Sequence, residues 1–394
     1  MPASKTLACI IVAQFFCTSL WFAGNAVLPD LISQENFPAN ALANITSAVQ
    51  FGFIIGTFVF ALFSIADKYK PSNVFFVSAM AGAIINGFIA MDNLGYNMLL
   101  LIRFSTGFFL AGIYPVGMKI ASDYFDKGLG KALGLLVGAL VLGSALPFLL
   151  NSASFHLPWQ QVVLATSLLS ITGAFLVKLF VPAGPFRKPA NSFRVNEIFQ
   201  VFKNKDFSKA AGGYFGHMWE LYSFWAFLPL ILAAWETTTG VSINIPFLSF
   251  IIIASGTVGC IVGGYLSTFL GTKKVATIAL VISGTCCLFS PAIFYIPSLE
   301  WLLIYLLVWG ISVVADSPLF STLAAQSAPA KLKGTALTIM NCIGFSITII
   351  SIQLLQYLSP YVDEQYLFTI LAIGPIAGLL ALHAKKNGTH LLQV

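Results

Sequence analysis

The chain has 394 residues, 58% of them hydrophobic and 9% charged, with a formal net charge of +6 and a mean hydropathy of +0.89. A soluble domain carries roughly a quarter charged residues, so this composition excludes a water-soluble enzyme or binding module and puts most of the chain in lipid. The small basic excess follows topology, as its distribution indicates below, and gives no sign of nucleic-acid binding.

A helix needs about 20 apolar residues to cross a bilayer core. Twelve runs approach or exceed that length, near 7–29, 41–66, 73–91, 98–122, 129–150, 159–177, 210–235, 243–270, 275–296, 299–325, 334–358 and 364–384. The expected fold class is an all-α membrane protein of 12 transmembrane helices. The first run follows Lys5 as a signal peptide would, but it exceeds a signal core in length and is read as a retained helix.

Charge placement supports the count. With the N-terminus cytoplasmic and every run crossing, the cytoplasmic segments hold eighteen of the twenty Lys and Arg. These run from Lys5, Lys68 and Lys70 through Lys127, Lys188, Arg194, Lys273 and Lys331 to Lys385 and Lys386. Arg103 and Lys119 lie inside the fourth run, and the outer loops carry acids such as Glu35, Asp92, Glu236, Glu300, Asp363 and Glu364 but no base. Positive residues collect on the cytoplasmic side of membrane proteins, and a miscounted helix would scramble the sorting.

The chain also repeats itself. NAVLPDLI (Asn25 to Ile32) returns as WAFLPLIL (Trp225 to Leu232), LLLIRFSTGFFLAGIYP (Leu99 to Pro115) as LLIYLLVWGISVVADSP (Leu302 to Pro318), and GKALG at Gly130 as GTALT at Gly334. Three echoes in one order predict two pseudo-symmetric six-helix halves, residues 1–181 and 209–394, the usual build of secondary transporters. Residues 182–208, rich in Lys, Arg, Phe, Pro and Asn, form the predicted cytoplasmic linker, with a short amphipathic helix along VNEIFQVFKNK. No phosphate-binding G-x-x-x-x-G-K-[ST] loop is present. The six cysteines fall inside predicted helices without metal-ligand spacing, so neither a disulfide nor a metal or other cofactor is expected.

Several motifs make the whole chain resemble the major facilitator superfamily. Arg103-Phe-Ser-Thr-Gly107, followed by Ala111 and Gly112, looks like the superfamily's arginine-glycine signature of helix 4. SIADKYK keeps Asp67 and Lys68 of its motif between helices 2 and 3, without the glycines. GGYLSTFLGTKK keeps Gly264, Gly271, Lys273 and Lys274 of the second-half counterpart, with Thr268 in place of the aspartate. Gly134, Gly138, Gly143 and Pro147 resemble the glycine-proline antiporter signature, with the proline one residue early. The style of helix 4 and of HMWELY in helix 7 is similar to bacterial nitrate, nitrite and cyanate permeases. Those nitrate carriers hold the anion with arginines in helices 2 and 8, which here are uncharged.

The resemblance implies a central cavity lined by helices 1, 4, 7 and 10. Buried ionisable groups in a bilayer are expensive and default to function, and within the spans they fall almost entirely in helices 4, 7 and 10: Arg103, Lys119, His217, Glu220 and Asp316. At about 1.5 Å per residue, Glu220 lies roughly 16 Å in from Lys209, near the midplane, and Arg103 roughly 9 Å below the outer end of its helix. Glu220 is the first candidate proton carrier, with His217 three residues before it, Arg103 and Asp316 as further candidates. Candidate substrate contacts are Gln14, Trp21, Asn25, Arg103, Tyr114, Glu220, Phe224, Trp309 and Asp316. Helical spacing predicts one face of helix 1 for Gln14, Thr18, Trp21 and Asn25, and a shared face for Arg103 and Tyr114 with Gly107 leaving room beside the arginine. Asp67, Lys68, Lys119 and Asp123 form a candidate cytoplasmic gate.

Each residue has a second reading. Glu220 also fits a helix-packing hydrogen bond, Arg103 a role in holding helix geometry, Asp316 a bond to backbone freed by Pro318, and the aromatic stripe packing. The function expected is a proton-coupled secondary transporter working by alternating access in the bacterial cytoplasmic membrane, with both termini cytoplasmic. Its partners are a small-molecule substrate, protons and the bilayer, and the resemblance implies that a monomer suffices. A small organic or inorganic anion is the first substrate expectation. Proton-driven export of a hydrophobic or cationic compound is the alternative, and a transporter-like sensor that moves no solute is an alternative of another class.

Overall fold

The computed structural model describes residues 3–35, 37–125, 129–152, 157–187, 198–329 and 332–384, and among them every regular element is helical. The chain forms α1 (Ala3–Thr18), α2 (Ala41–Leu62), α3 (Pro71–Ala90), α4 (Tyr96–Tyr124), α5 (Leu129–Leu150) and α6 (Trp159–Phe180). After the linker come α7 (Lys205–Thr239), α8 (Ile245–Leu270), α9 (Thr272–Leu288), α10 (Leu299–Ser327), α11 (Lys333–Leu358) and α12 (Glu364–His383). Among the described residues, ten of these are long and apolar enough to cross a membrane; α1 and α9, at 16 and 17 residues, stop short as continuous helices. Lys127, Lys188, Arg194, Lys331, Lys385 and Lys386 lie outside the described residues.

Local chemistry sets many of the ends. The Asn204 side chain accepts from the backbone N–H groups of Asp206 and Phe207 at 3.0 and 3.1 Å, capping the orphan donors of α7. Asn244 does the same for α8 through Phe247, and Ser298 for α10 through Trp301. Gly240 and Gly271, with φ of 72° and 86°, take the backbone out of α7 and α8. Of the amphipathic helix predicted in the linker, one turn forms at Ile198–Val201; residues 195–197 lie outside the described residues, and Lys203 and Asn204 turn away to leave Asn204 as the α7 cap.

The expected runs 41–66 and 275–296 end as continuous helices at Leu62 and Leu288, each followed by one further turn of helix, and three other interruptions bear on the polar interior. α4 breaks between Leu110 and Tyr114 and α10 at Asp316, each just before a proline that lacks an N–H and clashes with the carbonyl four residues back. The third break is different. Instead of running to residue 29, α1 stops at Thr18, and Ser19, Leu20 and Trp21 bond back three residues rather than four; the helix resumes as Ala23–Ala26 and Leu28–Glu35. No proline or glycine occupies 19–22. Pro229, which matches Pro29 in the repeat, sits inside an unbroken α7.

α1 packs on α5 and α6, α3 on α4 and α6, and α2 along α4; α7 packs on α11 and α12, and α10 on α8 and α9. Between the two sets the main contacts run along α2 with α11 and α5 with α8. Gln353 of α11 donates to Asn44 Oδ1 at 3.2 Å and Ser47 Oγ at 2.9 Å, and Thr257 of α8 donates to the Gly138 carbonyl at 3.0 Å. Large apolar side chains such as Val77, Leu101, Leu179, Phe269 and Leu380 face outward, while Gln14, Gln50, Asn86, Arg103, Glu220 and Asp316 are buried. An apolar exterior around a polar interior suits a lipid solvent.

Candidate functional site

Arg103 explains the break in α1. A helix tightened to three-residue bonds leaves carbonyls without their usual partners, and such groups are costly in a dry interior. The Arg103 guanidinium inserts there: Nη1 donates to the Leu20 carbonyl at 3.0 Å, Nη2 to the Trp21 carbonyl, and Nη1 also reaches Asn86 Oδ1 at 3.4 Å. Asn86 is anchored in turn to Ser167 and Thr166 of α6 at 3.0 and 3.3 Å. The glycine that makes room for the arginine is Gly24, where a Cβ would meet Arg103 Cδ and Nε at 3.0 Å; Gly107 instead packs on the backbone of Val49. The α4 break parts Arg103 from Tyr114, which is half-buried at the start of the second segment, so the continuous shared face predicted for them does not form.

The tightened turn also disperses the predicted face of helix 1. The Gln14 side chain abuts Gly117 of α4, Thr18 bonds back to the Gln14 carbonyl at 2.8 Å with the Leu140 carbonyl of α5 at 3.5 Å, and Asn25 donates to Thr46 of α2 at 2.7 Å. Trp21 points into a cluster of rings. Its ring lies 4.9 Å from Phe53, 5.7 Å from Tyr222 and 5.8 Å from Phe345; Phe22 lies 5.9 Å from Trp225 and 6.2 Å from Phe148. The cluster joins α2, α5, α7 and α11 around the α1 break.

His217, Glu220 and Phe224 face elsewhere, toward α9 and α10. Glu220 is fully buried; its Oε1 accepts from Trp309 Nε1 at 2.6 Å and from the Cys287 thiol at 3.2 Å, and its Oε2 from Ser283 Oγ at 2.9 Å. Phe224 stacks on the same Trp309 with centroids 4.4 Å apart. Among the described residues no hydrogen bond joins His217 to Glu220: its Nδ1 stands 2.8 Å from Asp316 Oδ1, both side chains buried, at the point where α10 breaks. One acid is thus held by three uncharged donors on two other helices, and the other meets an imidazole beside a backbone break.

At one end of α2 and α4, Lys119 Nζ lies 2.7 Å from Asp67 and 3.8 Å from Asp123, partly exposed. Lys68 joins no ion pair among the described residues. The first linker residues strap this corner: Arg187 donates to the carbonyls of Asp67 and Tyr69 at 2.7 and 2.9 Å, and the Phe186 N–H to the Asp123 carbonyl at 2.9 Å. A cavity of about 170 Å³ opens beside Lys119 between α2, α4 and the first turns of α11, lined by Thr57, Phe60, Pro115, Thr335 and Thr338 among others.

Sequence reasoning passed over Gln50, Ser283, Cys287 and Arg187. Gln50 carried a usable signal, as an amide inside an otherwise apolar run; Ser283 and Cys287 carried none, because small neutral residues are ordinary in membrane helices.

The chain is a multi-pass helical membrane protein with polar groups gathered inside it. The model of the Major Facilitator Superfamily matches residues 10–352, and the chain belongs to that family. It is therefore a secondary transporter of small molecules within a lipid bilayer, and not an enzyme. The crystal structure of the human organic anion transporter MFSD10 (TETRAN) superposes with a TM-score of 0.73, covering 97% of this chain and 100% of that one at 14% sequence identity, a likeness of fold.

Proposed function

We propose that this chain is a proton-coupled carrier of a small organic solute. α1 with its continuation and α9 complete twelve spans in two six-helix halves, residues 1–181 and 209–394, joined by the cytoplasmic linker 182–208. The halves rock about a central site in the bacterial cytoplasmic membrane, with both termini inside. The observation that carries the proton reading is the pair of buried carboxylates, Glu220 and Asp316, on helices whose counterparts line the superfamily's cavity. Intramembrane acids that lack a strong cation partner are candidates for reversible protonation. The Lys119–Asp67–Asp123 corner serves as a latch: ion pairs at such exposure contribute only about 0–1 kcal/mol each, which suits contacts made and broken in every cycle.

An anionic substrate is a second reading, favoured by the cargo named for the human structural neighbour. Arg103 lends it partial support: three of its N–H bonds go to α1 and Asn86, while Nε stays buried without a partner.

Proton flux into proteoliposomes, followed with an internal pH dye across a panel of organic solutes, tests the proposal. Wild type is expected to show solute-dependent flux, and Glu220→Gln or Asp316→Asn to move solute without protons or not at all. Solute movement with unchanged proton flux in both variants would remove these acids from coupling, and no flux with any solute would favour the sensor alternative.

A further inference from the structure

We propose that the transported solute is a planar aromatic or heteroaromatic molecule without net charge, whose acceptor atoms are held by the indole N–H groups of Trp21 and Trp225. This rests on the transporter reading above and names the substrate class of its central site.

The seven tryptophans divide in a telling way. A buried indole N–H normally finds an acceptor, because leaving it bare forfeits a hydrogen bond made in water. Five comply: Trp159 donates to Gln34, Trp219 to the Ile370 carbonyl, Trp235 to the Ile293 carbonyl, Trp301 to the Ala292 carbonyl and Trp309 to Glu220. Trp21 and Trp225, both fully buried, have no acceptor, and both belong to the ring cluster around the α1 break. They come from the matched segments Asn25–Ile32 and Trp225–Leu232 or the residues just before them, so each half of the repeat contributes one donor.

Gln50 adds to the pattern. It is fully buried with neither end of its amide bonded. Thr46 and Phe53 flank it on one face of α2, the first bonded to Asn25 and the second packed on Trp21 at 4.9 Å, so helical spacing puts Gln50 on the face of α2 that turns toward the same stretch of chain. Unpaired donors and a free amide amid stacked rings are the complement of a flat molecule with polar edges.

The charged groups that border this shell already hold polar partners within the protein. The Arg103 terminal nitrogens are spent on the carbonyls of Leu20 and Trp21 and on Asn86, Glu220 turns to Ser283, Cys287 and Trp309, and Asp316 faces His217. A cation entering the ring cluster would lose its hydration with no free carboxylate to replace it, and an anion would meet Arg103 only across the backbone carbonyls that hold it. A neutral aromatic solute gives up little and gains stacking with Trp21, Tyr222 and Phe345.

Calorimetric binding to the full chain in nanodiscs tests this with nicotinamide, nicotinate and 1-methylnicotinamide, rings of matched size that are neutral, anionic and cationic. Nicotinamide is expected to bind at least about tenfold more tightly than either ion. Trp21→Phe and Trp225→Phe, which keep a ring and remove the N–H, should each weaken it about fivefold, the usual worth of one neutral hydrogen bond, with Trp159→Phe unchanged. Should either tryptophan variant misfold, the wild-type ranking still decides. A tenfold preference for nicotinate or for 1-methylnicotinamide overturns the neutral class. Equal affinities likewise overturn the neutral class; no binding of any probe by protein that still supports solute-dependent proton flux overturns the aromatic site and leaves the transporter reading standing. Absence of both binding and flux overturns both.

Discussion

At Arg103 a guanidinium replaces the hydrogen bonds that α1 gives up between residues 18 and 22. Its planar fork reaches two successive carbonyls, a geometry that a lysine ammonium does not match. Arg103→Lys is therefore expected to destabilise the fold by about 2–4 kcal/mol, one charge-assisted bond lost and one buried carbonyl left bare, read as a lower thermal-unfolding midpoint in detergent. An unchanged midpoint with lost transport would move Arg103 from scaffold to coupling group. The sequence made Arg103, Glu220 and Asp316 conspicuous because charge is rare inside apolar runs. It hid their partners: backbone carbonyls have no side-chain signature, and Ser283 and Cys287 stand 63 and 67 residues from the acid they hold. His217 was visible too, but the short spacing to Glu220 suggested a pair that the fold does not make.

Between elements, glycines decide how closely helices approach. Gly52 and Gly56 of α2 lie against the α4 backbone at Phe104 and Phe108, and Gly107 of α4 lies against Val49 of α2, so the seam is small-residue on both sides. Such close packing is a main source of helix association in lipid, where burial of apolar surface gains nothing. Gly107→Val would drive two methyl groups into the Val49 carbonyl. It is expected to cost about 1–3 kcal/mol or more and to lower the yield of folded protein, whereas Gly264→Val, where a Cβ meets nothing within 4 Å, should leave both unchanged. Equal behaviour of the two variants would rule out a tight α2–α4 seam. Pro318 announced the break in α10, and Pro115 could have announced that in α4 but was read through when Arg103 and Tyr114 were expected to share a face; the break in α1 had no such announcement, since it answers to a residue on another helix.

Across the whole molecule, the α2–α11 seam is closed at one end and gapped at the other. Gln353 bridges to Asn44 and Ser47 near the start of α2, while toward its other end Thr57 and Phe60 face Thr335 and Thr338 across the cavity beside Lys119. If the two sets of helices rock about a central site, these ends open in alternation, and fixing the closed end arrests the cycle. A chain carrying Ser47→Cys and Gln353→Cys, treated with a short bifunctional methanethiosulfonate because cysteine is shorter than glutamine, is expected to lose solute flux on cross-linking and to regain it on reduction. Each single variant, and wild type with its six native cysteines, should be insensitive. A fully cross-linked chain that still transports would mean that this seam does not open, and the gate would have to lie along α5 and α8, where Thr257 meets Gly138.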